Sequence, residues 1–226
     1  MIKVIGIGGC GSNILAYIKK QNLDKNYDCL TIRSSSDLSD MQISQNDVVF
    51  TVSGFGGKTA GGVTLDVTKE LISKNIKVKN IIVLPFSSET TNQNIITDLE
   101  TLVSINQNIE VLANDDILKD RDSEMVMSEV MKIYDEVIYE FIKKSNHVDT
   151  KSFFIERKKD NKTYKAIVKF WSKSYKITFL EPLRKMIHQS SIGNIANHRY
   201  DFKNDSDKYV IDIEKIANDK IDEYIL

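Results

Sequence analysis

The stretch Ile2-Lys3-Val4-Ile5-Gly6-Ile7-Gly8-Gly9-Cys10-Gly11-Ser12-Asn13 decides how the rest of the chain is read. Ile2, Val4, Ile5 and Ile7 read as a buried strand. Glycines crowd the next positions, and Ser12 to Lys20 then reads as a helix. Its last turn carries Lys19 and Lys20, which suit the negative end of a helix dipole. A second stretch repeats the plan. Val48-Val49-Phe50-Thr51-Val52 is a buried strand, Gly54, Gly56 and Gly57 follow, and Gly61 to Lys74 reads as a helix with Val63, Val67, Leu71 and Ile72 at helical spacing. Nine of the ten glycines fall in these two clusters, with only Gly193 outside. Such clustering marks two loops where backbone approaches something closely or takes positive φ. Loop N–H groups and helix N-termini both turn positive ends outward, so the pair of loops points to phosphate.

Outward from these loops the same alternation continues. Strands are expected at 27–33, 79–84 and 109–113, and a helix from Thr91 to Leu102. A longer helix pattern runs from Ser123 to Lys144, with its methionines expected in the core. The fold class implied is α/β, a mostly parallel sheet with helices on both faces, binding its ligand beyond the carboxyl ends of the strands.

Composition narrows the classes further. In 226 residues, 41% are hydrophobic and 28% charged, which is too apolar for a wholly disordered chain. No apolar run approaches the length of a membrane span, and the opening reads directly as a strand, so no signal peptide is expected. Cys10 and Cys29 cannot form a disulfide framework, so a cytoplasmic location is expected. His147, His188 and His198 are scattered, and no Cys/His spacing suggests a metal site.

Three readings fit the loops differently. Gly6-Ile7-Gly8-Gly9-Cys10-Gly11 matches the dinucleotide pattern G-x-G-x-x-G between strand and helix. The second strand ends in Arg33-Ser34-Ser35-Ser36 rather than an acidic residue, which suits a 2′-phosphate and makes NADP an alternative ligand. Gly57-Lys58-Thr59 suggests a P-loop, but the glycine required five residues earlier is Val52. A dinucleotide fold leaves the second loop unexplained, since it needs one glycine-rich turn.

The third reading accounts for both loops. The opening stretch resembles the start of the FtsZ/tubulin family, I-K-V-I-G-V-G-G-G-G-G-N. Val49 to Gly62 resembles the tubulin signature region V-F-I-A-A-G-M-G-G-G-T-G-T-G. Leu84-Pro85-Phe86-Ser87-Ser88-Glu89 is similar to the segment ending in the ribose-contacting glutamate, and Asn114-Asp115-Asp116-Ile117-Leu118 to the N-D-x-L-L segment. The resemblance covers about residues 1–145, with its motifs inside 1–118.

What the resemblance implies is a guanine-nucleotide site for GTP or GDP, with or without magnesium. Gly8, Gly9, Cys10, Gly11, Ser12 and Asn13 would hold phosphates from one side. Gly56, Gly57, Lys58, Thr59, Ala60 and Gly61 would wrap the far phosphates. Glu89 would contact the ribose and Asn114 the base. The family's Asn-Asp pair on the long helix aligns with Ser128-Glu129. Lys58 and Ala60 stand where the family has glycine, and the added methyl of Ala60 would carry a cost at positive φ. Arg33 and Ser35 replace the family's asparagine and aspartate after the second strand. For hydrolysis the resemblance supplies one carboxylate, Asp149, since the second acidic position aligns with Ser152. Nucleotide binding is therefore expected ahead of turnover, with nucleotide-dependent self-association or partner docking. A degenerate adaptor that kept the fold and lost the ligand is the remaining alternative.

Residues 146–226 read as a basic α+β appendage to the 1–145 nucleotide-binding domain. Residues 1–150 carry a net charge of −6 and 151–226 a net +5. Tyr164 to Trp171 and Tyr175 to Phe179 alternate as a hairpin with one buried face. A strand is expected at Phe153 to Ile155, a short helix after Pro182, and a strand running into a helix over 209–225. The lysines of 151–185 are expected on the wet face, as a guard against edge pairing or as a docking surface for nucleic acid, an acidic partner or a membrane.

Overall fold

The computed structural model describes residues 1–20, 27–57, 60–86, 94–114, 127–144, 150–159, 162–171, 174–181 and 187–191. The chain divides into two units, Met1–His147 and Val148–Leu226.

The first unit is built on five parallel strands. These are β1 (Ile2–Ile7), β2 (Tyr27–Ile32), β3 (Val48–Gly54), β4 (Lys77–Leu84) and β5 (Ile109–Ala113), in the order β2-β1-β3-β4-β5. Helix α1 (Gly8–Lys20) carries the chain from β1 to β2, whereas α2 (Ala60–Ser73) and α3 (Ile95–Ile105) carry it from β3 to β4 and from β4 to β5. The direction of travel reverses between β1 and β3. A crevice therefore opens at their carboxyl ends, and both glycine loops lie there.

Each face of the sheet has its own core. On one, Val4, Phe50, Val52 and Ile81 meet Ile14, Leu15 and Ile18 of α1 and a stripe from α4 (Met127–Lys144). That stripe is Val130, Tyr134, Ile138 and Ile142, four residues apart, so one side of α4 is buried along its length. The methionine expected in this core, Met131, is 42% exposed because it lies one position off the stripe. On the other face Ile5, Ile7, Val49 and Val78 pack on Val67 and Leu71 of α2.

Polar groups tie the second face together. The buried Asn80 Nδ2 donates to Thr51 Oγ1 at 2.7 Å and Thr68 Oγ1 at 2.9 Å, while Asn80 Oδ1 accepts from Asn106 Nδ2 at 2.6 Å. Two strands, α2 and the end of α3 are linked through one side chain.

Element boundaries differ from expectation at the loops. The glycines Gly8 to Gly11 form the first turn of α1 itself. The short segment after β2 contains a six-residue 3₁₀ helix, Ser35–Asp40, capped by Ser34 and Asp37. No helix among the described residues is long and apolar enough to cross a membrane.

The second unit holds four antiparallel strands in sequence order, β6 (Lys151–Lys159), β7 (Lys162–Trp171), β8 (Ser174–Glu181) and β9 (Ile187–Ser191). The expected hairpin is β7 with β8. The expectation of one wet face does not hold at its centre. Ala166 and Val168 are buried on one face, and Ile167 and Lys169 are buried on the other. Lys169 is 7% exposed and engaged, so it is no docking cation. Lys165 faces Glu156 across the strands at 3.8 Å. Lys173 and the segments expected at 182–186 and 209–225 lie outside the described residues.

Candidate functional site

Two cavities flank the first turn of α1, and both belong to the first unit. The larger, about 560 Å³, opens between α1 and α4 over the carboxyl ends of β3 and β4. That volume suits a drug-sized organic ligand. The smaller, about 300 Å³, lies where the first turns of α1 and α2 meet the residue after β2.

Close backbone packing builds the turn between them. A Cβ on Gly11 would run into the Val52 carbonyl oxygen, and one on Gly54 would stand 2.8 Å from Cys10 Cβ. Gly11 thus seats α1 on β3, and it lines neither cavity. Gly56 has φ +107, and a side chain there would also press on Pro85 at 3.0 Å, so the second loop needs glycine at this position. Phe55 N donates to the Val83 carbonyl at 2.9 Å and holds that loop to β4.

The larger cavity has an apolar lining with few polar groups. Ile14, Phe55, Val83 and Ile138 supply apolar walls, and Asn13, Cys10, Asn114, Lys132 and Asp135 supply the polar atoms. Asn114, directly after β5, is 8% exposed, and its Oδ1 is buried with no hydrogen-bond partner. A buried carbonyl without a donor costs about 1–3 kcal/mol, which a ligand N–H would recover. Tyr134 OH donates to the Ala113 carbonyl at 3.2 Å, fixing α4 beside that residue. Burial holds the Asp135 carboxyl above its ordinary value, with Lys20 pulling the other way. Burial, then the nearby Asp135, pushes the Cys10 thiol up to about 12, so it stays protonated.

The smaller cavity is polar at its mouth. Gly8, Gly9, Ser12, Ala60 and Arg33 line it. Ser12 Oγ is engaged inside the helix, donating to the Gly8 carbonyl at 2.7 Å. Nothing lies within 4 Å of where a Cβ on Gly9 or Gly57 would be, so both glycines border open space. Ala60 sits in the first turn of α2, and among the described non-glycine residues only Asn75 has positive φ. The backbone cost expected for alanine there does not arise.

The expected site residues therefore sort themselves. Cys10, Asn13, Gly56, Gly57 and Asn114 line the larger cavity, while Gly8, Gly9, Ser12 and Ala60 line the smaller. Gly61 faces Asp98 of α3, whose carboxyl is raised by burial. Glu129 is exposed on α4 and lines neither cavity. The acidic residue that α4 turns into the cavity is Asp135, nearly two turns later. Helical phase was the missed signal, because 131, 135 and 138 share one side. Lys58, Thr59, Glu89 and Asp149 lie outside the described residues, and Ser152 is buried in β6.

No family model matches the chain, and no curated protein matches it. Solved structures do. The fold is similar to that of FtsZ and CetZ. CetZ from Methanosaeta thermophila aligns at TM-score 0.48 and 14% identity, over 69% of this chain and 62% of that one. CetZ2 from Haloferax volcanii, described as a GTPγS-bound protofilament, aligns at 0.49 and 16%, over 62% and 56%. An empty FtsZ dimer from M. jannaschii aligns at 0.44 and 17%, over 66% and 57%. The chain thus spans less than two thirds of the length of each. At these scores the likeness carries no functional weight of its own.

Proposed function

We propose that the first unit binds a guanine nucleotide, GTP or GDP. The base would enter the larger cavity and the phosphates would meet the first turns of α1 and α2. The observation that carries this reading is the buried, unpartnered Asn114 Oδ1 in a cavity that also holds the Asp135 carboxylate. A guanine edge offers N–H donors, which are what an unsatisfied carbonyl and a carboxylate accept. Apolar walls suit the ring faces, and the two helix termini suit the anionic end. Magnesium is proposed only as an ion carried on the phosphates. It takes water and phosphate oxygens with one or two carboxylates. Among the described residues no three metal-ligating side chains come together.

In this reading the chain's residues bind and orient, and hydrolysis is not assigned to any described residue. Self-association on nucleotide binding is part of the proposal. Sedimentation velocity tests it: GTP should shift the protein to larger species, and unchanged sedimentation would remove that part.

One observation favours NADP as a second reading. Arg33 follows β2 and lines the smaller cavity beside Gly8, where a 2′-phosphate would lie. Thermal melts separate the readings. A ligand at a hundred times its Kd stabilises the fold it binds by about 2.7 kcal/mol, or about 5–10 °C in a chain of this size. GTP should give that rise and NADPH should not. No rise with any nucleotide would leave the adaptor alternative.

A further inference from the structure

We propose that Arg33 is a built-in countercation for the terminal phosphate, so that this chain does not require a divalent metal to grip its nucleotide. The inference rests on the guanine-nucleotide reading and goes beyond it in naming what neutralises the far end of the ligand.

Placement carries the argument. The register Ile7↔Ile32 between β1 and β2 sets Arg33 one step past the last pair, alongside Gly8. There it lines a cavity of about 300 Å³ with Gly8, Gly9 and Ala60, the opening residues of α1 and α2. The loop that carries it is fixed. Arg33 N and Ser34 N donate to Asp37 Oδ2 at 2.8 and 3.0 Å, and those bonds hold the Asp37 carboxyl below its ordinary value. The same carboxylate, within electrostatic reach, is already committed to backbone. No ion pair among the described residues includes Arg33.

Charge decides what that cavity takes. Two helix termini offer about half a unit charge each, far short of a triphosphate's negative charge. Among the described residues that line the cavity Arg33 alone carries a full charge, and it is positive. A guanidinium also presents a fork of donors that matches phosphate oxygens. The larger cavity, which reaches the first turn of α1 at Cys10, supplies the independent sign of a ligand, the unpartnered Asn114 Oδ1.

The test is calorimetric titration in EDTA of the full chain and of Arg33→Ala and Arg33→Lys, with GTP, GDP and guanosine. Arg33 is exposed, so both variants should melt like the parent, and melts check this. The parent should bind GTP in EDTA. Arg33→Ala should lose about tenfold or more in GTP affinity, the low end for a charge-assisted contact at an exposed site. It should lose less for GDP and nothing for guanosine, and Arg33→Lys should recover part. Equal losses for all three ligands, or none, would overturn the proposal. So would a parent that binds GTP only when magnesium is added, while the guanine reading stood. A parent that binds NADPH, or no guanine nucleotide with or without magnesium, would remove that reading and this inference together.

Discussion

Exchanging Asp135 for asparagine should switch the proposed base preference from guanine to xanthine. Asp135 projects from α4 into the larger cavity, near Cys10 and on the same lining as Asn114. A carboxylate there accepts the N1–H and the exocyclic N–H of guanine, two charge-assisted bonds. Losing them costs about 2–4 kcal/mol, or about thirtyfold to a thousandfold in Kd. An asparagine amide keeps an acceptor for N1–H and offers a donor, which meets the carbonyl that xanthine carries at that edge. Asp135→Asn should therefore bind xanthosine triphosphate more tightly than GTP, with the parent reversed. Free-protein stability should move the opposite way to GTP affinity. Burial raises the folded carboxyl above the ordinary carboxylate value. Its contribution is thus complete below that value and lost as pH rises through the folded one. At pH 7 the neutral variant should melt higher than the parent, and the difference should vanish in acid. Titrations of both triphosphates against both proteins, with melts from pH 4 to 8, read all of this. Unchanged preference in the variant would refute the base placement.

Other outcomes follow from the same geometry. Asn114→Leu should raise the melting temperature, since it removes a buried acceptor worth about 1–3 kcal/mol of cost, while weakening GTP; a lower melting temperature would count against the unpaired carbonyl. Cys10, shifted from 9.0 to about 12, should carry about a thousandfold less thiolate than an ordinary thiol and alkylate correspondingly slowly by mass spectrometry. Rapid labelling of Cys10 would contradict its placement. Asn80→Leu should destabilise the first unit by about 2–4 kcal/mol, visible in urea melts, because Thr51, Thr68 and Asn106 lose their shared partner. A loss under about 0.5 kcal/mol would show the network to be replaceable.

Much of this molecule was legible in the order of its residues. Glycine clusters after two apolar runs, with helical spacing beyond each, were enough to expect strands, helices and a phosphate-facing end. Local preferences and periodicity travel with the sequence, so the β1–α1 and β3–α2 units are readable before any folding is considered. What needed the folded chain was every relation across the sheet. That Gly11 seats α1 on β3 is visible only in the packing of the two elements. Glu129 matched an alignment, yet the phase of α4, set by Val130, Tyr134 and Ile138 seeking the core, turned Asp135 inward instead. Lys169 read as a surface lysine, because alternation along one strand cannot reveal that both faces of a sheet are covered. Arg33 and Gly8 are far apart in the chain and become neighbours only through the register of β1 with β2. Motifs fix which backbone can cradle an anion. Register, helix phase and burial fix which side chains stand around it, because those depend on partners that the local sequence does not contain.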